Sequence, residues 1–176
     1  MEKPFHIVLY QPVIPQNTGS IARLCACTGA VLHLIHPLGF QTDDASVKRA
    51  GLDYWQHVDI REHASWEAFL KSQRPERLNF FSKFATTPYT SGHFDVPTYL
   101  VFGSETKGLP AEMRETYAKD LYLIPMRTHL VRSLNLSQCV AVVLYEAIRQ
   151  TETSFAASAS SPLRRPLQDP TLVAKV

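Results

Sequence analysis

Short apolar runs bounded by proline and glycine alternate with helix-spaced segments along this chain, and that alternation constrains the fold most. His6–Tyr10, between Pro4 and Pro12, reads as a buried strand. Pro15–Gly19 is a turn, with Asn17 or Thr18 placed to cap a helix. Ile21, Leu24, Cys25 and Thr28 then recur at helical spacing until Gly29 stops the helix. Val31–Ile35 is a second strand. Asp43–Gly51 reads as a short helix, Trp55–Ile60 as a strand and Trp66–Lys71 as a helix. Leu78–Phe84 and Thr98–Phe102 are strands on either side of a turn-rich stretch, Thr86–Pro97. Gly103–Leu109 is a loop, Pro110–Tyr117 a short helix and Leu121–Ile124 a last strand. Strands separated by helices pair in parallel, so the expected fold is α/β: a mostly parallel sheet flanked by helices.

The longest helix spans Asn135 to Gln150, and its stretch Cys139–Leu144 is apolar all round the axis. Such a helix must be covered on both sides. Its own sheet can cover one side, and a second copy of the chain most economically covers the other. After Gln150 the composition shifts to Ser, Ala, Thr and Pro, so residues 1–150 are expected to form a single domain and 151–176 a low-order tail. No apolar run approaches the ~18–20 residues that cross a bilayer, and no signal peptide is visible. The 3 cysteines have neither disulfide nor zinc spacing, which fits a reducing cytoplasm. A net charge of +2 permits an RNA partner without arguing for one.

Several chemistries are excluded by what the motifs lack. Gly103 and Gly108 have Walker spacing, but Leu109 and Pro110 follow where Lys and Ser/Thr are required. No GxGxxG follows the first strand, and GxSxG is absent. His33 and His36 have no cysteine or carboxylate at metal-ligand spacing, so no metal is expected. What remains is 3 polar segments, each just after an expected strand, where ligand sites gather in parallel sheets. Pro15–Arg23 offers free helix N–H groups, with Gly19 and Arg23 on one helix face. Val101–Pro110 and Ile124–Ser137 are the others. Taken singly, each has an ordinary explanation: a capped helix with an exposed arginine, a glycine loop with solvated charges, and an N-cap at Asn135.

Together, in this order and spacing, the segments resemble the motifs of the SPOUT, or trefoil-knot, RNA methyltransferases. The match is NxGxxxR at Asn17–Arg23, FGSExxGLP at Phe102–Pro110, and IPM followed by RSLNLSxxVAVxLYEAxRQ ending at Gln150. The opening IVLYxPxIPxNTGxIARLCAxTG and Arg49–Tyr54 resemble one branch, the small 2′-O-methyltransferases acting on cytidine or modified uridine at the tRNA wobble nucleotide, with leucine-type acceptors expected. The neighbouring alternatives are a relative acting elsewhere on tRNA or rRNA, and a catalytically silent RNA-binding relative.

The resemblance implies a deep C-terminal trefoil knot whose loops hold S-adenosylmethionine bent and release S-adenosylhomocysteine. By position, the cofactor meets Gly103, Ile124, Ser133 and Leu134, with Phe81 or Ser82 after the preceding strand. Glu105 and Asn135 order the loops. Asn17, Arg23, Ser133 and Asn135 are the implied catalytic residues. Arg23 either accepts the ribose proton or grips phosphate and the developing alkoxide; arginine ordinarily keeps its proton in proteins, which favours the grip. The resemblance also implies a homodimer through the first and last helices, each site borrowing residues from its neighbour. The tRNA would then meet a composite basic surface drawn from Arg23, Lys48, Arg49, Lys83, Arg127 and Arg132.

Overall fold

The computed structural model describes residues 4–42, 57–127 and 130–151. Its strands are β1 (Phe5–Tyr10), β2 (Val31–Ile35), β3 (Ile60–His63), β4 (Leu78–Phe81), β5 (Thr87–Pro88), β6 (Thr98–Phe102) and β7 (Leu121–Leu123). The α-helices are α1 (Pro15–Thr28), α2 (Trp66–Gln73), α3 (Ala111–Thr116) and α4 (Leu136–Thr151). The strands lie in one sheet in the order β3-β2-β1-β6-β4-β7-β5, and every described pairing is parallel. The α/β expectation therefore holds.

Parallel strands are covered on both faces, which is why β1, β2 and β6 read as nearly unbroken apolar runs. Phe5, Ile7, Leu9, Leu32, Leu34, Leu100 and Phe102 pack against Ile21 and Cys25 of α1 and Val140, Val143, Leu144 and Ile148 of α4. On the other face Val8, Ile35, Phe80, Tyr99 and Val101 pack against Phe69 of α2 and Met113 of α3. The chain fills one flank of the sheet first, β1 then β2 then β3, before β4, β6 and β7 build the other. Ligand sites in open α/β sheets lie at such a switch, beyond the carboxyl ends of the strands.

Four local expectations are corrected. α1 begins at Pro15, so Asn17 and Thr18 lie inside its first turn; the N-cap is Ile14, without a side-chain cap bond. Thr18 Oγ1 is buried without a hydrogen-bond partner. Among the described residues the third strand is Ile60–His63 and starts only where the expected Trp55–Ile60 strand ends (residues 55 and 56 lie outside the described residues), because its pairing to β2 is supported by polar side chains that hydrophobic periodicity ignores. β4 stops at Phe81, not Phe84: the chain turns at Ser82, whose carbonyl accepts from Ala85 N–H and whose hydroxyl accepts from Phe84 N–H. The turn-rich stretch holds a two-residue strand, Thr87–Pro88, which pairs with β7. The helix expected at Asp43–Gly51, together with Lys48, Arg49 and the stretch after Thr151, lies outside the described residues.

The polar pairing beside β3 is a row of histidines. His6 Nδ1 stands 2.9 Å from His33 Nε2, and His33 Nδ1 stands 3.0 Å from His63 Nε2. Tyr99 stacks on His6, and Phe69 meets His33 and His63 edge-on. Burial, then His6, His63 and Arg61, push the His33 imidazole down to about 2, against a smaller upward pull from Asp59. His63 is lowered too, by burial and by Arg61. A folded-state value below the unfolded one means that the unfolded chain takes up protons the folded chain refuses. The resulting stability is complete above the unfolded value of 6.5 and is lost as pH falls below it. Urea unfolding should therefore show the protein weakening from pH 7 to pH 5, by up to ~1.4 kcal/mol per pH unit for each proton excluded. His33→Leu should flatten that dependence whatever its absolute stability; an unchanged slope would place the pH sensitivity elsewhere.

Candidate active site

The segments after β1, β4, β6 and β7 leave the sheet at the same edge and enclose a cavity of about 580 Å³. That volume lies within the ~300–1,000 Å³ of small-molecule sites. Phe81, Phe102, Leu109, Ile124, Leu134 and Leu136 supply apolar wall, while Ser82, Ser104, Ser133, Asn17 and Asn135 supply hydroxyl and amide groups. Every cofactor residue expected from sequence (Phe81, Gly103, Glu105, Ile124, Ser133 and Leu134) lines it.

Glu105 joins the loops. Its carboxylate accepts from Val13 N–H at 2.9 Å, Ile14 N–H at 3.3 Å and Asn17 Nδ2 at 2.9 Å. The start of α1 thus receives from a distant segment the acceptor that Ile14 lacks, and a negative group suits a helix N-terminus. Asn17 Oδ1 then accepts from Asn135 Nδ2 at 2.9 Å, and Asn135 Oδ1 accepts from Ser137 N–H at 2.8 Å. Asn135 caps α4 through that last bond. One relay of side chains ties the three motif segments together over the cavity.

The β6 loop is shaped by its own backbone. Gly108 N–H donates to Ser104 O at 2.9 Å, Lys107 N–H donates to Ser104 Oγ at 3.2 Å, and Gly108 adopts φ +67°. A Cβ on Gly103 would lie 2.1 Å from Gly108 C and 2.2 Å from Leu109 N. Glycine is required there so that the loop can fold back on itself. Gly19, expected on one helix face with Arg23, is buried within α1, whereas Arg23 is exposed.

Arg23 and Arg132 are exposed and stand outside the lining of the chain's cavity, whereas Lys83 belongs to it. Cys139 also lines the cavity; burial pushes its thiol up to about 11, so it stays protonated near neutrality and forms inert wall. Sequence reasoning missed Ile14, Phe84, Met126, Leu136 and Cys139 as wall residues. Phe84 was hidden at the end of the strand expected over Leu78–Phe84, and Leu136 and Cys139 by the helix stripe they belong to. Among the described residues no group of three or more His, Cys, Asp or Glu is placed to hold a metal ion. No described helix is long and apolar enough to cross a membrane.

A parallel sheet with a cavity of small-molecule size at its switch, closed by loops from the C-terminal half, defines an α/β protein with a ligand site beyond the carboxyl ends of its strands. Residues 4–145 match the SpoU rRNA Methylase family, and the chain belongs to that family. It is 49% identical over 152 residues to the tRNA (cytidine(34)-2′-O)-methyltransferase of Burkholderia cenocepacia, covering 83% of this chain and 95% of that one. A solved structure described as "Structural insights into the 2-OH methylation of C/U34 on tRNA" superposes with a TM-score of 0.76 at 48% identity, covering 83% of this chain and 95% of that one. An AdoMet-bound rRNA methyltransferase from Sinorhizobium meliloti superposes with a TM-score of 0.75 at 25% identity, covering 85% of this chain and 57% of that one.

Proposed function

We propose that this chain is an S-adenosylmethionine-dependent methyltransferase acting on the ribose 2′-OH of the tRNA wobble nucleotide, cytidine or modified uridine, with leucine-type tRNAs as acceptors. The observation that supports it most is the Glu105–Asn17–Asn135 relay, which locks three separated segments around one cavity. The relatives' high coverage and identity favour the wobble substrate over other RNA positions. The cavity's residues suit the cofactor: Phe81, Ile124 and Leu134 supply apolar wall for a flat base, and Ser104 and Ser133 supply hydroxyls for polar groups. The bound cofactor supplies a methyl group on a sulfonium, already a good electrophile.

The protein's task is then alignment of the hydroxyl, an effect worth ~7–11 kcal/mol in favourable cases. Asn17 and Asn135 hold the loops that set this geometry. Arg23 grips the phosphate beside the target ribose and stabilises negative charge developing on its oxygen. The trefoil knot, the single domain over residues 1–150 and a cytoplasmic location belong to the same reading.

Arg23 is exposed and lies outside the lining of its own cavity, which supports a site completed by a second copy. Val142 and Tyr145 on the outer face of α4 are 39% and 47% exposed, while Val143, Leu144 and Ala147 on the inner face are buried. α1 packs beside α4, so both helices share that surface. Val142→Asp should convert a dimer to a monomer in sedimentation and abolish methyl transfer while circular dichroism stays native. A dimeric, active Val142→Asp protein would remove the dimer from this reading.

The function itself is tested by mapping 2′-O-methyl nucleotides in tRNA from cells with and without the protein. Loss at the wobble nucleotide, restored by wild type and not by Arg23→Ala, is the expected result. Loss at another RNA position would discard the substrate, and no loss anywhere would discard the enzyme.

A further inference from the structure

Phe84 is 60% exposed, yet it lines the mouth of the cavity rather than an empty surface. Its turn is firmly held: Ser82 N–H donates to Tyr122 O at 2.9 Å, and Ser82 accepts from both Phe84 and Ala85 N–H. The guanidinium carbon of Arg114 lies 4.4 Å from the Phe84 ring centroid, and the Lys83 ammonium lies 5.3 Å from it. Arg114 is itself fixed, its Nε donating to Leu109 O at 3.3 Å in the cavity loop. Lys107 adds a further cation to the rim, and the single carboxylate in the lining, Glu105, already accepts three hydrogen bonds. The mouth is therefore an aromatic ring set among cations, held on a short anchored turn.

Aromatic and guanidinium planes of this kind are what unstacked bases of single-stranded RNA stack on, with cations taking the adjoining phosphates. An RNA loop base that unstacks as its ribose approaches the cavity would be received at this rim. We infer that Phe84, backed by Arg114, is the stacking platform for an unstacked base of the substrate RNA beside the methylated ribose, and that Lys83 holds the adjacent phosphate. This rests on the RNA methyltransferase reading above.

The test uses full-length protein and a tRNA anticodon stem-loop carrying 2-aminopurine next to the target nucleotide. Wild-type binding should quench the fluorophore. Phe84→Ala should leave it close to the free-RNA signal and weaken RNA binding roughly 5- to 100-fold, the range for one lost base–aromatic stack. S-adenosylmethionine affinity by calorimetry should fall far less than RNA affinity does, and Phe84→Trp should restore both quenching and RNA binding. Phe84→Ala with wild-type quenching and RNA affinity would overturn the inference. So would weaker cofactor binding with unaltered RNA binding, which would make the ring part of the cofactor's enclosure. An active wild type with an indifferent Phe84→Ala defeats the platform alone; a wild type that methylates no tRNA defeats the function as well.

Discussion

Gly103→Ala should empty the cofactor site. The added methyl would lie 2.1 and 2.2 Å from backbone atoms of Gly108 and Leu109, and backbone cannot move aside as a flexible side-chain tip can. The loop from Gly103 to Leu109 must shift, taking with it Ser104, Glu105 and the wall they form. Overpacking of this kind costs about 1–3 kcal/mol, which at ~2–4 °C per kcal/mol lowers the melting temperature by roughly 2–12 °C. The functional loss is larger, since displacing Glu105 also leaves Val13 N–H, Ile14 N–H and Asn17 without their acceptor. Calorimetry with S-adenosylmethionine should show affinity falling on the order of 100-fold, given several polar groups unpaired at once. Wild-type affinity in Gly103→Ala would mean that this loop does not form the cofactor's wall.

Arg23→Lys should lose nearly all methyl transfer while binding S-adenosylmethionine normally. Arg23 is exposed on α1 and lines none of its own cavity, so its loss leaves the cofactor wall intact. A lysine keeps the charge but offers a point ammonium instead of a planar fork, and it cannot hold phosphate and a developing alkoxide together. A single-turnover rate reduced on the order of 100-fold matches the removal of one preorganised stabilising group. Near-normal turnover would eliminate Arg23 as either base or clamp. Mixing Arg23→Ala with Gly103→Ala protomers separates its two placements. If Arg23 serves the neighbouring cavity, each mixed dimer regains an intact site and activity returns. If it serves its own, the mixture stays dead.

Much of this protein was legible because it is written locally. The strands of β1, β2 and β6 are apolar on both faces, and proline or glycine marks their ends, so their type and position needed only short-range rules. The errors fell where local signals mislead. β3 is paired through His33 and His63, and buried polar residues satisfied by one another leave no hydrophobic period to read. Phe84 ends the strand expected over Leu78–Phe84, but the bonds to Ser82 turn the chain after Phe81 and leave Phe84 in the cavity lining.

The motif resemblance also reached further than periodicity did, since it gathered Phe81, Gly103, Glu105, Ile124, Ser133 and Leu134 to one site before any contact was known. The sequence by itself therefore determined the α/β class, the helix and strand segments of the core and residues that border the cavity. Only the tertiary structure decided how those residues work together. Asn17 proved to be a bridge and not a cap, and Glu105 an acceptor for a helix start 91 and 92 residues away. Gly103, besides lining the cavity, proved to leave room for the loop's own backbone. Each of those roles depends on atoms brought together by sheet order, and separations of that length leave no trace in neighbouring residues.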